Sequence, residues 1–409
     1  MTLRRALCAF TLVLMFAAVA GDADAARRAH HPPTRRAPAH RAAAHAQPAQ
    51  PPGAKHVTIL DGDTGLVLYC DDCNTPIQPA SMSKLMTVLV VADALEHHQI
   101  SMDTHFTVSE NAWRHGPTAR ESESNMFLNI GSSVSVRDLL QGVIVVSAND
   151  ACITLAEGIA GSEDAFVVRM NQRAQQLGLT TARFRNVTGL PDPEHVISSA
   201  DLARLAAYMI RNEPELYRIY SERAFTFNGH PQQNRNPLLG AFPGADGFKT
   251  GHTDAAGYSL VGSAIVDSHR RIIVFNGTRS MEERRAEGLR LMRAAFNDYD
   301  ARRIAAAGGK VGEAQVYLGS SATVPLVAQT QIAVGGPRST VGALRAHIRY
   351  SGPLTPPIKK GDIVAHLVIA GPPGFTPQEY PLAAGADIGR ANWFARAWEG
   401  LRLTLSGGH

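Results

Sequence analysis

The chain has 409 residues, 44% of them apolar, 19% charged and 6% aromatic. These proportions exclude a disordered, collagen-like or multi-span membrane protein and leave chain enough for two domains. The net charge of +4 does not mark a nucleic-acid partner, because residues 26–55 carry Arg27, Arg28, Arg35, Arg36, Arg41 and Lys55 with no acid; residues 1–25 are neutral, so the rest sums to about −2 and has no basic footprint.

Arg4 and Arg5 precede an apolar run from Leu7 to Ala20, with small residues that offer cleavage after Ala20 or Ala25. This is the layout of a secretory signal peptide, so the mature protein is expected to be exported. Cys8 begins the run with no apolar stretch before it, which disfavours lipid attachment there. Residues 26–55 hold ten Ala, six Pro, four His and six cations, too little apolar surface to offset the entropy of ordering, and read as a disordered tether. The other reading has His30, His31, His40 and His45 binding metal, or the arginines touching anionic wall polymer or phospholipid.

From residue 56 the pattern becomes globular. His56–Leu60, a turn at Asp61–Gly65 and Leu66–Tyr69 read as a β-hairpin. Helical periodicity starts at Ser81, with Leu85, Val88, Leu89, Ala92 and Leu95 at spacings of three and four, and further helices are predicted over about 135–160, 163–177, 201–211 and 282–299. Tyr258–Val266 and Arg271–Phe275 read as a strand pair. Strands first, helices between and strands after predict an α+β domain over 56–300, with helices against an antiparallel sheet. Beyond Gly308-Gly309, the short apolar runs Gln315–Leu318, Ala343–Ile348 and Ile363–Ile369 are separated by Gly and Pro clusters and predict a small all-β domain, a β-sandwich, over 310–405.

The chemistry begins at Ser81-Met82-Ser83-Lys84. Side chains three apart at a helix start share a face, so Lys84 can reach the Ser81 hydroxyl as its base. A lysine acts so only when burial and neighbouring cations depress its pKa. Ser-x-x-Lys alone is a weak signal. Ser147-Ala148-Asn149 after the apolar run Val143–Val146, and Lys249-Thr250-Gly251 just ahead of the strand near Tyr258, complete in order the three strings of serine acyl transferases.

With Pro79–Thr87, Ser147–Cys152 and Asp246–Thr253 around them, these strings resemble the signatures of D-alanyl-D-alanine carboxypeptidases, the low-molecular-mass penicillin-binding proteins. The likeness extends to Phe184–Pro191, Asn234–Leu239 and Ile358–Asp362 and covers roughly residues 56–400. It implies a penicillin-binding transpeptidase-like domain followed by the small β domain. It further implies that Ser81 attacks the bond between two terminal D-alanines of a peptidoglycan stem peptide, that Lys84 takes its proton and that Ser147 relays a proton to the leaving amine. Backbone N–H groups of Ser81 and His252 would form the oxyanion hole, and Lys249 would supply a cationic field. Thr250, Gly251, His252 and Arg284 would bind the terminal carboxylate region, and Asn149 a stem-peptide amide. No metal or cofactor is implied; β-lactams would be covalent inhibitors, and the location would be periplasmic, with peripheral contact to the inner membrane as a possibility.

Two departures accompany the resemblance. Ala200 stands before Asp201 where many relatives carry a larger residue, and the sequence stops at His409 soon after the family's C-terminal membrane anchor would start. Trp393, Phe394, Ala397, Trp398 and Leu401 recur at helical spacing and fit either a short interfacial helix or a core contact. Competing readings remain for several residues: Asn149 as a helix cap, Asp150 as a surface acid, His252 as a plain loop residue, Arg284 as part of a solvated helix face, Ser122 and Ser124 as loop. Cys70-Asp71-Asp72-Cys73 permits a tight disulfide or two thiols, and Cys152 reads as a buried space filler. The rival functions are a β-lactamase, disfavoured because no glutamate lies between Ala182 and Pro193, a D,D-endopeptidase, and a non-catalytic β-lactam sensor.

Overall fold

The computed structural model describes residues 53–116 and 124–392. The signal segment, nearly all of the tether, Ser122 and the aromatic segment from Trp393 lie outside the described residues. The chain divides into two units, one of residues 53–306 and 331–344, the other of 307–330 and 345–392.

The first unit grows from the hairpin that the alternating residues predict. Strands β1 (Lys55–Asp61) and β2 (Val67–Asp71) pair antiparallel across a turn that Asp61 closes, its Oδ1 accepting from the Thr64 N–H at 2.7 Å. Strands β3 (Ala245–Thr253), β4 (Gly257–Val266) and β5 (His269–Thr278) complete an antiparallel sheet in the order β2-β1-β5-β4-β3. Lys249-Thr250-Gly251 therefore lies within edge strand β3 rather than ahead of the first strand of the pair; its glycines and polar residues conceal the strand, which the ladder to Val261, Leu260 and Ser259 of β4 defines.

Both faces of this sheet are covered. Val261, Ile272 and Val274 enter a core around α1 (Lys84–Glu96), whereas Leu260, Ile273 and Phe275 enter a second core with Leu291 and Met292 of a late helix. This is the two-residue alternation of a strand buried on both sides. Helix α1 has Leu85, Met86 and Leu89 fully buried and Val90 nearly so, the all-round apolarity of a central helix. Helices α2 (Asn149–Ala160), α3 (Glu163–Gln176) and α4 (Ser199–Asn212) pack around it, and α5 (Met281–Asn297) lies on β4 and β5. Ser162, Ser198 and Ser280 cap α3, α4 and α5, each hydroxyl accepting an N–H three residues on.

Two expected helices are interrupted where the chemistry sits. The stretch near 135–160 breaks into a helical turn over Val136–Gln141, a wider π turn over Gly142–Val146 and, after Ser147 at φ 65°, helix α2. Gly142 leaves room for Met126 against this turn, since a Cβ there would stand 2.3 Å from Met126 Sδ. Likewise Ser81 does not open α1; it sits on a 3₁₀ turn, Ala80–Ser83, ahead of it. Cys70 and Cys73 form a disulfide, and Cys152 is a buried free thiol whose pKa burial pushes up to about 12.

In chain order there follow β6 (Tyr299–Ala305), β7 (Lys310–Gln315), β8 (Thr323–Ala328), β9 (Ile332–Pro337), β10 (Arg345–Arg349), β11 (Ile363–Ala370) and β12 (Gln378–Ala384). The second unit is all-β, with one antiparallel sheet among its described residues, in the order β7-β8-β12-β11-β10; a second sheet facing it, as a sandwich needs, is not seen there. Val324, Leu326 and Ala328 bury alternate positions of β8. Residues 331–344, which the sequence grouped with this unit, belong to the first: β9 pairs with β6.

Leu89 is fully buried in the α1 core, so Leu89→Ala is expected to destabilise the first unit by about 2–5 kcal/mol. Thermal melts of the two proteins measure it.

Candidate active site

The turn bearing Ser81 is held by main chain on two sides. On one, Gly251 of β3 faces it so closely that a Cβ would lie 2.8 Å from Pro79 O. On the other, Gly189, at φ +78°, would place a Cβ 2.0 Å from Ala80 O. A side chain at either position displaces the nucleophile.

Lys84 is fully buried at the first position of α1. Its Nζ lies 2.9 Å from Ser81 Oγ, 2.8 Å from Asn149 Oδ1 and within hydrogen-bond distance of the Thr188 carbonyl. A neutral lysine has two N–H groups and one lone pair. With the amide oxygen and the carbonyl able only to accept, the two N–H groups go to them and the lone pair is left for the Ser81 hydroxyl proton. The Thr188 carbonyl is itself fixed by an Asx turn, in which Asn186 Oδ1 accepts from Gly189 N–H at 2.7 Å, Thr188 N–H at 3.2 Å and the Thr188 hydroxyl at 3.1 Å. Thr87 ties the same segment to α1, donating to Val187 O at 2.7 Å.

Ser147 is 3% exposed, and its Oγ has no hydrogen-bond partner among the described residues. Its left-handed backbone ends the π turn two residues before Asn149. Ala148, not Asn149, occupies the cap of α2, which leaves the Asn149 amide to Lys84. The Asn149 N–H donates at 2.8 Å to Ser124 O, and Arg235 donates to the Ser124 hydroxyl. Ser124 thus lies against site residues rather than in a detached loop.

Lys249 is 4% exposed, with Nζ donating to Thr250 O at 3.2 Å. Burial first, then the charges of Lys84, Arg235 and Arg284, hold its pKa well below the ordinary lysine value. Thr250, beside it, is buried. Arg284 is 6% exposed, so the solvated-face reading fails. Two of the acids around it on α5 are engaged elsewhere, Glu283 with Arg279 at 2.9 Å and Glu287 with Arg290 at 2.6 Å. Its guanidinium stands 5.5 Å from the Tyr258 ring centroid, its Nε has no hydrogen-bond partner among the described residues, and burial lowers its pKa to about 10. His252 is exposed, its ring 3.9 Å from that of Tyr258.

Direct hydrogen bonds therefore join Ser81, Lys84 and Asn149; Lys249, Arg235 and Arg284 share one electrostatic field; Gly251 lies against the nucleophile turn; and the His252 side chain stands at the strand end. Ser124 reads in the sequence as loop near a region that could line the cleft, whereas the Thr188 carbonyl, a backbone acceptor, carries no side-chain signature beyond the Asn186-x-x-Gly189 spacing.

A serine hydroxyl aimed at a buried lysine, beside a second buried lysine on a sheet edge, defines an active-site-serine acyl transferase. The chain belongs to the D-alanyl-D-alanine carboxypeptidase family, whose profile matches residues 42–279, followed by a match over 299–390 to the penicillin-binding protein 5 C-terminal domain. It is 36% identical over 358 residues to D-alanyl-D-alanine carboxypeptidase DacA of Haemophilus influenzae, covering 87% of this chain and 90% of that protein. The crystal structure of penicillin-binding protein 5 from Haemophilus influenzae superposes with a TM-score of 0.75 at 35% identity, covering 84% of this chain and 100% of that one. Penicillin-binding protein D2 of Listeria monocytogenes in its ampicillin-bound form matches with a TM-score of 0.53 at 29% identity, covering 60% of this chain and 96% of that one.

Lys249 has no carboxylate within ion-pair distance among the described residues, so as a cation it opposes folding. Because its folded pKa lies below the ordinary 10.5, the unfolded chain holds this proton more tightly, and the penalty applies at neutral pH and fades as pH rises toward 10.5. Lys249→Met is expected to melt at or above the parent at pH 7, with the gain shrinking at higher pH, and to acylate at least about tenfold more slowly. Melting curves against pH, with penicillin labelling rates, test both.

Proposed function

We propose that this chain is a serine-type D-Ala-D-Ala carboxypeptidase that removes the terminal D-alanine from peptidoglycan pentapeptide stems through an acyl-enzyme on Ser81, and that β-lactams acylate the same serine. The observation that carries it is the bonding of Lys84, whose amide and carbonyl acceptors leave its lone pair for Ser81. Ser81 Oγ attacks the carbonyl of the penultimate D-alanine as its proton passes to Lys84. The tetrahedral oxyanion meets the backbone N–H groups of Ser81 and His252. Lys84 passes that proton on to Ser147 as Ser147 delivers its own to the departing amine, so the C–N bond breaks, D-alanine leaves and Lys84 is neutral again. Water then adds to the ester as Lys84 takes its proton, and the ester C–O bond breaks as that proton returns to Ser81 Oγ.

The buried Arg284, with no ion-pair partner among the described residues and standing over the Tyr258 ring that His252 also meets, supports binding of a free terminal carboxylate and so favours a carboxypeptidase over an endopeptidase. Asn149 holds Lys84 through Oδ1 and stands where a stem-peptide amide would bind. The Asn186–Leu190 turn gives Lys84 a carbonyl and contains no acid, which favours a slowly deacylating peptidase over a β-lactamase. The signal-like residues 1–25 support export to the periplasm, and the aromatic spacing beyond Trp393 supports peripheral contact with the inner membrane.

Ser81→Ala is expected to abolish both D-alanine release and covalent penicillin labelling while leaving the melt unchanged; mass spectrometry of intact protein and peptide products reads it, and labelling retained on another serine would overturn the assignment. The parent should cleave a pentapeptide acid at least roughly thirty-fold faster than its C-terminal amide, the worth of a buried charge-assisted pairing. Arg284→Ala should shrink that ratio by depressing the acid alone.

A further inference from the structure

Asp150 follows the substrate-binding Asn149, yet it was read from sequence as a surface acid. It is fully buried. Among the described residues it forms no ion pair, and burial pushes its pKa up to about 6 against the pull of the backbone N–H groups around it. A buried carboxylate held only by backbone donors is costly, so its bonds are informative.

Those bonds run to one short segment. Asp150 Oδ1 accepts from Met126 N–H at 3.1 Å and from its neighbour Ala151 N–H at 2.9 Å, and Oδ2 accepts from Leu128 N–H at 3.1 Å. In the reverse direction, Ser124 O accepts from Asn149 N–H at 2.8 Å. Consecutive residues at the start of α2 are thus tied to Ser124–Leu128 by bonds in both senses. The segment is pinned from its other side by Arg235 at the Ser124 hydroxyl and by Gln232, which donates to Asn125 O at 3.1 Å. The amide at the end of this chain is the one that orients Lys84.

We propose that Asp150 is a positioning residue for acylation: its carboxylate locks Ser124–Leu128 onto the start of α2 and thereby fixes the Asn149 amide that aims the lysine base. The inference rests on the serine-peptidase reading above. A carboxylate suits the task because two oxygens accept from all these donors at once, whereas an asparagine in the same volume presents one oxygen and turns its N–H₂ toward backbone N–H groups.

The test is Asp150→Asn in the full chain, with Asp150→Ser read in parallel in case the first does not fold. Fluorescent penicillin supplies the acylation rate constant at saturation and the half-saturating concentration separately. The rate constant is expected to fall at least about tenfold, as misorientation of a catalytic group does, with the half-saturating concentration changed less than about threefold. The melting temperature at pH 7.5 should fall by no more than about 5 °C, since removal of a buried charge offsets the N–H groups left unpaired, and the Met126 and Leu128 amides should exchange with deuterium faster while those of α1 do not. Acylation within twofold of the parent in a folded variant overturns the proposal, and so does loss of stability in step with loss of acylation in both variants. Failure of the parent itself to label would instead sink the serine-peptidase reading.

Discussion

The structure depends on one requirement, that an amine sealed from water be short of a proton and point its lone pair at a hydroxyl. A lysine left in solvent is an ammonium ion at neutral pH. Burial of Lys84 within the α1 core removes the water that would stabilise the charge, and Lys249 on the β3 edge repels it. Orientation then comes from acceptors that cannot donate, one a side-chain amide and the other a main-chain carbonyl. These two come from chain segments far apart in sequence, which is why the site needs a two-sided sheet and a central helix to assemble.

Such a centre is expensive to fold. Lys249, Arg284 and Asp150 are all buried charges without ion-pair partners among the described residues, each shifted toward its neutral form. The surrounding cores offset them: both faces of the sheet are apolar and closely packed, and α1 is enclosed on all sides. Stability is therefore concentrated where the chemistry is not, the division expected when a catalytic constellation works against the fold that carries it.

Much of this was legible in the residues. Periodicity located the helices of the first unit within a few positions, and three short strings in order named Ser81, Lys84, Ser147, Asn149 and Lys249. What escaped was set by backbone geometry and burial. The left-handed Ser147 and the π turn before it look like uninterrupted helix in an apolar run. Strand β3 escaped because Gly251 serves close approach to Pro79, a tertiary fact. Asp150 reads as solvent-facing because acids usually are. Arg284 was ambiguous for the same reason, until the partners of Glu283 and Glu287 were visible.

The path of the chain between the two units has a practical meaning. It passes from one to the other after Ala306, returns at Gln331 and leaves again after Leu344. Strand β9, on the return, supplies Gly335, where a Cβ would lie 2.6 Å from a Leu68 side-chain carbon, and it ladders with β6. The two units are thus interleaved along the chain: a gene truncation at Ala306 would remove the strand paired with β6 and uncover Leu68 of the first hairpin. A catalytic unit that stands without its neighbour has to cover the edge of β6 by some other means.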